Sequence, residues 1–381
     1  GLMPDEIAAT LESARSSGFS NPTPWIAEAQ RWVYIGNRDR FLLKADHSLV
    51  TPQAFDRMFN SIRPYEKGGF AAFLLNGDLI EKALNVRFDP FRSEGVFDDN
   101  GSTCFNSYRS PNIVPIEGDA TPFQEFLEYL VPNEAERDHL VKMMAWTVRN
   151  PGRKLSHALL LTSTAQGIGK TTLIEAWRNQ LGKSNTRKTT SDEMESGFQE
   201  YLSDTIMVFA EELNLSQGLG SYNKIKDLIT GDTSVVNRKF IATTEQQNFA
   251  NFVLLSNMDV PIQIEAADRR FFVVRSPATR RDGSYWQSLH EWLTQNAGVI
   301  RWHLESIDLS DFNPKDAPPV TQAKLDLIDN SSTPLAQDLS AMMNDRVWPF
   351  SRDIFTVVEL QQALPHVHYK VKPTKLMNAL R

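Results

Sequence analysis

Glycines at 167 and 169, a lysine at 170 and hydroxyls at 171 and 172 stand behind the apolar run Leu159-Leu160-Leu161. This grouping suits phosphate chemistry. Small residues let consecutive backbone N–H groups converge on phosphate oxygens, a lysine meets the outer phosphates, a hydroxyl meets Mg²⁺, and a helix N-terminus lies behind them. Thr164, Ala165, Gln166, Gly167, Ile168, Gly169, Lys170, Thr171 and Thr172 are therefore the candidate loop for ATP. The pattern departs from G-x-x-x-x-G-K-[ST] at one place, where Thr164 replaces the first glycine and Gly167 is left to supply the freedom. A Gly-Lys-Thr tripeptide is common by chance. The strand before it, and a helix expected over 172–181 and stopped by Gly182, make it a phosphate loop.

Further along, the buried-type run Thr205 to Ala210 ends in Glu211 and Glu212. Such a pair can divide the labour of nucleotide hydrolysis: one carboxylate, Glu211, joins Thr171 at the metal, and its neighbour orients or deprotonates the attacking water. The competing reading is a strand ending in a solvated acidic turn. A third run, Phe252 to Ser256, ends in Asn257, which is placed to reach a γ-phosphate or the attacking water. Asp268-Arg269-Arg270 precede the apolar run Phe271 to Val274. The arginines either pair locally with Asp268 or act as a finger on a neighbouring subunit's nucleotide, with Arg270 favoured, and they are expected on the sheet edge that holds the nucleotide.

The elements that must carry these groups fit a chain of 381 residues, long enough for two or three domains. With 41% hydrophobic and 23% charged residues the composition is that of an ordinary globular protein. No apolar run reaches membrane-span length and no secretory leader pattern opens the chain, so a cytoplasmic protein is expected. Its one cysteine, Cys104, rules out an internal disulfide or a cysteine-based zinc site. The net charge of −7 advertises no nucleic-acid binding globally, so any such surface must be locally basic. Gly1-Leu2-Met3 reads as a cloning remnant on a fragment of a longer protein.

Residues 1–24 are expected to form a helix and linker, and 25–121 a small irregular α+β domain with a hairpin (32–35 and 41–43) and a helix over 51–62. Residues 122–153 read as two helices, the second capped by Asn133. The phosphate-loop domain follows over 154–283, with a polar loop after its first helix and a further helix over 192–202. Residues 284–306 read as one amphipathic helix whose Trp286, Leu289 and Trp302 pack on the core. His290 and His303 have no metal-ligand spacing. A proline-rich linker runs to 320, and 321–381 is a helical module, read as a truncated winged helix, with helices over 335–343, 357–364 and 374–381.

The ordered set of the Gly169-Lys170-Thr171 loop, paired acids, terminal Asn257 and Arg269-Arg270 resembles the superfamily 3 helicases of viruses and phages. These lie within the AAA+ ATPases, and the likeness is greatest to the helicase part of phage and plasmid primase-helicases. It covers about Phe123 to Val274. It implies an α/β AAA+ core, ATP and Mg²⁺ as cofactors, a hexameric ring on single-stranded or forked DNA, and a primase domain ahead of the helicase in the full-length protein. The segment Ile229 to Lys239 looks like the lead into that family's DNA-binding hairpin, which would set Arg238 and Lys239 in the channel. In the papillomavirus initiator helicase a histidine follows this lysine; here it is Phe240. Solvated charges beside a strand are the alternative for this pair. A P-loop kinase or nucleotide switch, and a non-enzymatic scaffold on an ATPase fold, are rival functions.

Overall fold

The computed structural model describes residues 27–59, 69–196, 199–215, 219–236, 244–265, 267–331, 339, 342–343, 345–352 and 354–364. The chain divides into two compact units between Pro111 and Asn112. The expected helix and linker over 1–24, the helix over 374–381, most of that over 335–343, and Arg238 and Lys239 lie outside the described residues.

The first unit carries β1 (Trp32–Ile35), β2 (Arg40–Leu43), β3 (Leu49–Val50), α1 (Pro52–Met58), α2 (Gly69–Asn76), β4 (Glu81–Ala83), β5 (Asn85–Arg87), β6 (Gly95–Asp99) and β7 (Ser102–Asn106). β1 and β2 form the expected hairpin, with Trp32 opposite Leu43. Sheet order is β3-β2-β1-β4 in one layer and β5-β7-β6 in another. Thr51 caps α1 by accepting from Ala54 N at 3.1 Å, and Pro52 begins it, where a missing N–H costs nothing. Phe41 stacks on Phe55 at 4.1 Å between ring centres, and Trp32 meets Phe55 edge-on at 5.2 Å.

The second unit begins with α3 (Thr121–Leu130) and α4 (Glu134–Arg149), the latter capped by Asn133, which accepts from Glu136 N at 3.1 Å. Residues 112–120 belong to this unit rather than to the preceding domain: Ile116 N donates to Gly298 O at 3.0 Å. Next come β8 (Ala158–Thr162), α5 (Lys170–Leu181), β9 (Thr186–Thr189), α6 (Ser191–Glu195), β10 (Met207–Ala210), α7 (Leu219–Thr230), β11 (Thr233–Val236), β12 (Thr244–Gln247), β13 (Asn251–Ser256) and β14 (Phe271–Arg275). α8 (Gly283–Gln295), α9 (Ala297–Ser306), α10 (Gln322–Ser331) and α11 (Val357–Ala363) complete it.

β8, β9, β10, β13 and β14 form one parallel sheet in the order β14-β8-β13-β10-β9. Leu159, Leu160 and Leu161 are fully buried, as are Val208, Phe209 and Ala210, because helices cover both faces of a parallel sheet and its strands read as unbroken apolar runs. β11 and β12 pair antiparallel as a separate two-stranded ribbon. Its root is fixed by Lys154 Nζ and Asn248 Nδ2, each donating to the carbonyls of both Leu228 and Gly231 at 2.8–3.0 Å.

Three expectations change here. The helix expected over 192–202 ends at Glu195, because Ser196 turns extended (φ −61, ψ 161), and only a 3₁₀ turn at Glu200–Leu202 follows. The polar loop after α5 contains an edge strand, β9. The helix expected over 284–306 is two helices, broken at Asn296, whose φ of −111 leaves the helical region and whose Nδ2 bonds Trp292 O at 2.9 Å.

Candidate functional site

In a parallel sheet every strand delivers the residues that follow it to one edge, where ligands of open α/β sheets bind. The register does this here. Ser256 pairs with Thr162 and Ala210 with Leu254, so Asn257 comes beside Ser163, and Glu211 and Glu212 follow on the next strand over. A cavity of about 440 Å³ opens there, lined by Gln166 to Thr172, Glu211, Glu212, Leu255, Ser256, Asn257, Arg280 and Trp286.

The loop between β8 and α5 turns through two left-handed glycines, Gly167 at φ +71 and Gly169 at φ +95. Thr164 is not left-handed, so the missing first glycine imposes no backbone strain. Neither Thr164 nor Ala165 lines the cavity, although Ala165 O accepts from Ser163 Oγ at 2.7 Å. α5 starts at Lys170 with no side-chain cap, which leaves its first N–H groups for a ligand anion. Lys170 Nζ donates to Asn257 Oδ1 at 2.6 Å and to Ser163 Oγ. Burial lowers its pKa from the usual lysine value.

Thr171 Oγ1 donates to Glu211 Oε2 at 2.9 Å. Among the described residues no three His, Cys, Asp or Glu side chains gather around a metal position. A hydroxyl and one carboxylate do fit Mg²⁺, which keeps several waters and takes its other oxygens from phosphates rather than from an all-protein cage. Glu212 lines the same cavity from a left-handed backbone (φ +56) that few non-glycine residues adopt, at a cost on the order of 1–3 kcal/mol.

Five residues at or beside the cavity were not assigned to it from the sequence. Ser163 is the first residue after β8. Lys188, in the unforeseen β9, binds Glu211 Oε1 at 2.7 Å. Arg280 follows β14 and approaches Gly167. Trp286, expected in the core, lies against Gly169, and His290 Nε2 stands 3.0 Å from Thr172 Oγ1. Only the helical spacing of Trp286 pointed inward; the others carried no local signal.

Arg269 and Arg270 are not at this edge. Ala158 N donates to Arg270 O at 2.8 Å, so the pair sits at the amino ends of β8 and β14, across the full length of the sheet from the cavity. Residues that precede a parallel strand necessarily stand at the edge opposite those that follow one. Asp268 does not pair with their side chains either: it accepts from Tyr222 OH at 2.8 Å and from Lys324 Nζ at 3.3 Å, and from the backbone N–H groups of Arg270 and Phe271. Arg269 is exposed and Arg270 half-buried.

The second unit is thus a parallel α/β domain with a polar crevice at its carboxyl edge. Residues 161–270 match a family of unknown function, DUF5906. Over 200 residues, 51% of this chain, the sequence is 26% identical to a DNA primase-polymerase of Nitratiruptor phage NrS-1, and the match spans 28% of that protein's length. The apo structure of the NrS-1 C-terminal region (305–718) shares the fold, with a TM-score of 0.70 at 17% identity over 94% of this chain and 85% of that one. A second apo form of that region gives 0.67 at 16% identity, covering 94% and 86%.

Proposed function

We propose that this chain is the ATP-driven, DNA-translocating part of a phage-type replication protein, with an AAA+ core of the superfamily 3 helicase kind working as a hexameric ring. The observation that carries this reading is the meeting of Lys170, Thr171, Glu211, Glu212 and Asn257, from three different strands, around one cavity at the start of an uncapped helix. Similarity to a phage protein named for DNA priming and polymerisation supports a place in DNA replication. Priming itself belongs, on this reading, to a part of the full-length protein outside the matched stretch, and the work is done in the cytoplasm of the host cell.

The N–H groups of 167–172 and Lys170 hold the phosphates of ATP. Lys170 reaches them by leaving Asn257, whose amide is then free to orient the attacking water. Glu212 accepts that water's proton. Thr171 and Glu211 would hold Mg²⁺, which when bound would neutralise charge on the phosphates. Arg238 and Lys239 lie in the connection between β11 and β12, so a ring would bring six such connections to single-stranded DNA through phosphate contacts that carry little sequence information. The ribbon is what a kinase or a nucleotide switch does not require.

DNA-stimulated hydrolysis with two inactive variants tests the proposal. Lys170→Ala and Arg270→Ala should each be nearly inactive alone, a finger being worth about 10³-fold or more. An excess of Lys170→Ala mixed into Arg270→Ala should restore turnover, since an intact arginine then completes an intact loop. Unchanged turnover in Lys170→Ala removes the phosphate loop from the reading. Mixed rings that form but stay inactive remove the shared site.

A further inference from the structure

Lys188 stands between two carboxylates. Its Nζ lies 2.7 Å from Glu211 Oε1 and 2.8 Å from Glu175 Oε1, while the other oxygen of Glu211 accepts from Thr171 at 2.9 Å. Three elements bring these groups together: Lys188 lies on the edge strand β9, Glu175 on α5, and Glu211 at the end of β10. The register fixes the arrangement, because Lys188 pairs with Phe209 two residues before Glu211. Arg178 Nη1 sits 3.2 Å from the same oxygen of Glu175. Glu175 therefore has a cation of its own, and Lys188 is shared.

The ammonium thus occupies one oxygen of the carboxylate whose other oxygen is already on Thr171. Glu211 and Glu175 both lie within 2.8 Å of this one ammonium, and like charges at such range oppose one another unless a cation lies between them. The Lys170 ammonium lies instead on Asn257 and Ser163.

We propose that Lys188 is a resident counter-cation that holds Glu211 against Thr171 while no divalent ion is present and yields toward Glu175 when Mg²⁺ arrives, so that it sets the site's affinity for the metal. This rests on the reading of Thr171 and Glu211 as the Mg²⁺ position. Lys188 is a positioning residue. The metal must displace the ammonium from one oxygen, and the presence of Glu175 lowers the cost of that displacement.

The test is Mn²⁺ binding to the 381-residue chain in the presence of ADP, followed by electron paramagnetic resonance, which needs no turnover. Wild-type protein that takes up Mn²⁺ only with ADP satisfies the underlying reading, and failure to bind Mn²⁺ with ADP removes that reading and this one with it. Given wild-type binding, Lys188→Met should tighten Mn²⁺ by about two- to fivefold, the worth of a partly exposed ion pair that no longer competes. Glu175→Gln should weaken it by a similar factor, since the ammonium then has only Glu211. Lys188→Arg should stay within the wild-type range. A purely structural role would move both variants the same way. Unchanged or weaker Mn²⁺ binding in Lys188→Met overturns the counter-cation; should that variant not fold, Glu175→Gln decides alone, and equal or tighter binding there overturns it.

Discussion

Replacing Gly169 by alanine isolates the contact on which the shape of the loop depends. A Cβ at that position would lie 2.5 Å from Trp286 Cη2, 2.7 Å from its Cζ3 and 3.0 Å from Phe126 Cε2, on a backbone held at φ +95. Two costs follow. Left-handed backbone is disfavoured for alanine by about 1–2 kcal/mol, and a carbon forced into a packed ring contact costs about 1–3 kcal/mol. Trp286 has little room to retreat, with the rings of Tyr285, Tyr129 and Phe126 at 5.1, 6.2 and 6.4 Å. The sum is about 2–5 kcal/mol, or roughly 4–9 °C in the melting temperature of a unit of this size. Calorimetry of Gly169→Ala, Trp286→Ala and the double variant separates the terms, because removing the ring relieves only the steric part and the pair should be non-additive by about 1–3 kcal/mol. Gly283→Ala is the control: nothing lies within 4 Å of its Cβ position at the start of α8, so it should be neutral or stabilising by up to about 1 kcal/mol. If Gly169→Ala melts with the wild type and binds nucleotide equally well, Trp286 does not shape the loop.

Glu212→Gln should keep ATP bound while slowing hydrolysis by about 10²–10⁴-fold in a single-turnover assay, and trapping by Glu211→Gln alone would reverse the two roles. Lys239→Ala should weaken single-stranded DNA binding equally for all sequences and lower the salt slope by about one, read from anisotropy titrations; wild-type affinity would remove the ribbon from DNA contact. Burial holds His139 at a pKa of about 4, and burial with the charge of His139 holds His157 at about 3, their Nε2 atoms being 3.0 Å apart. Both are neutral in the fold and both would protonate near 6.5 once unfolded, so the stability they allow is complete above about pH 6.5 and is lost as pH falls toward 4 and 3. Melting curves across that range should decline less steeply in His157→Gln, and an unaltered slope would show that the pair is not responsible.

What the sequence made legible was the site's list of groups, and the reason is physical. Each central strand of a parallel sheet is a short apolar run, and the residue that breaks the run is the one delivered to the carboxyl edge. Lys170 with Thr171, the acids after Ala210, and Asn257 could each be read from their own neighbourhood. Strand order could not, because hydrogen bonding between β8 and β13 joins residues about ninety positions apart and leaves no local pattern. Lys188 went unread for a related reason: Thr186 to Thr189 is a polar edge strand, and its composition resembles a loop. Trp286 was assigned to the core by its helical spacing, and that spacing cannot tell a ring packed under a sheet from one packed on Gly169 of the loop before α5.

Arg269 and Arg270 immediately precede β14 while the cavity lies beyond its end, and five residues of strand at about 3.3 Å each separate them by roughly 16 Å. Neither side chain can reach its own crevice. The carboxylate that would hold them locally is also taken, since Asp268 is bonded by Tyr222, Lys324 and two backbone N–H groups. The cations lining the cavity, among the described residues, are Lys170 and Arg280, and Lys188 stands beside it on Glu211. Under the proposal, the arginine pair at the amino edge of the sheet would meet the crevice at the carboxyl edge of a neighbouring copy of the chain. On the proposed reading this is why hydrolysis would depend on assembly, and why the arginines belong to the neighbour's chemistry rather than to their own subunit's.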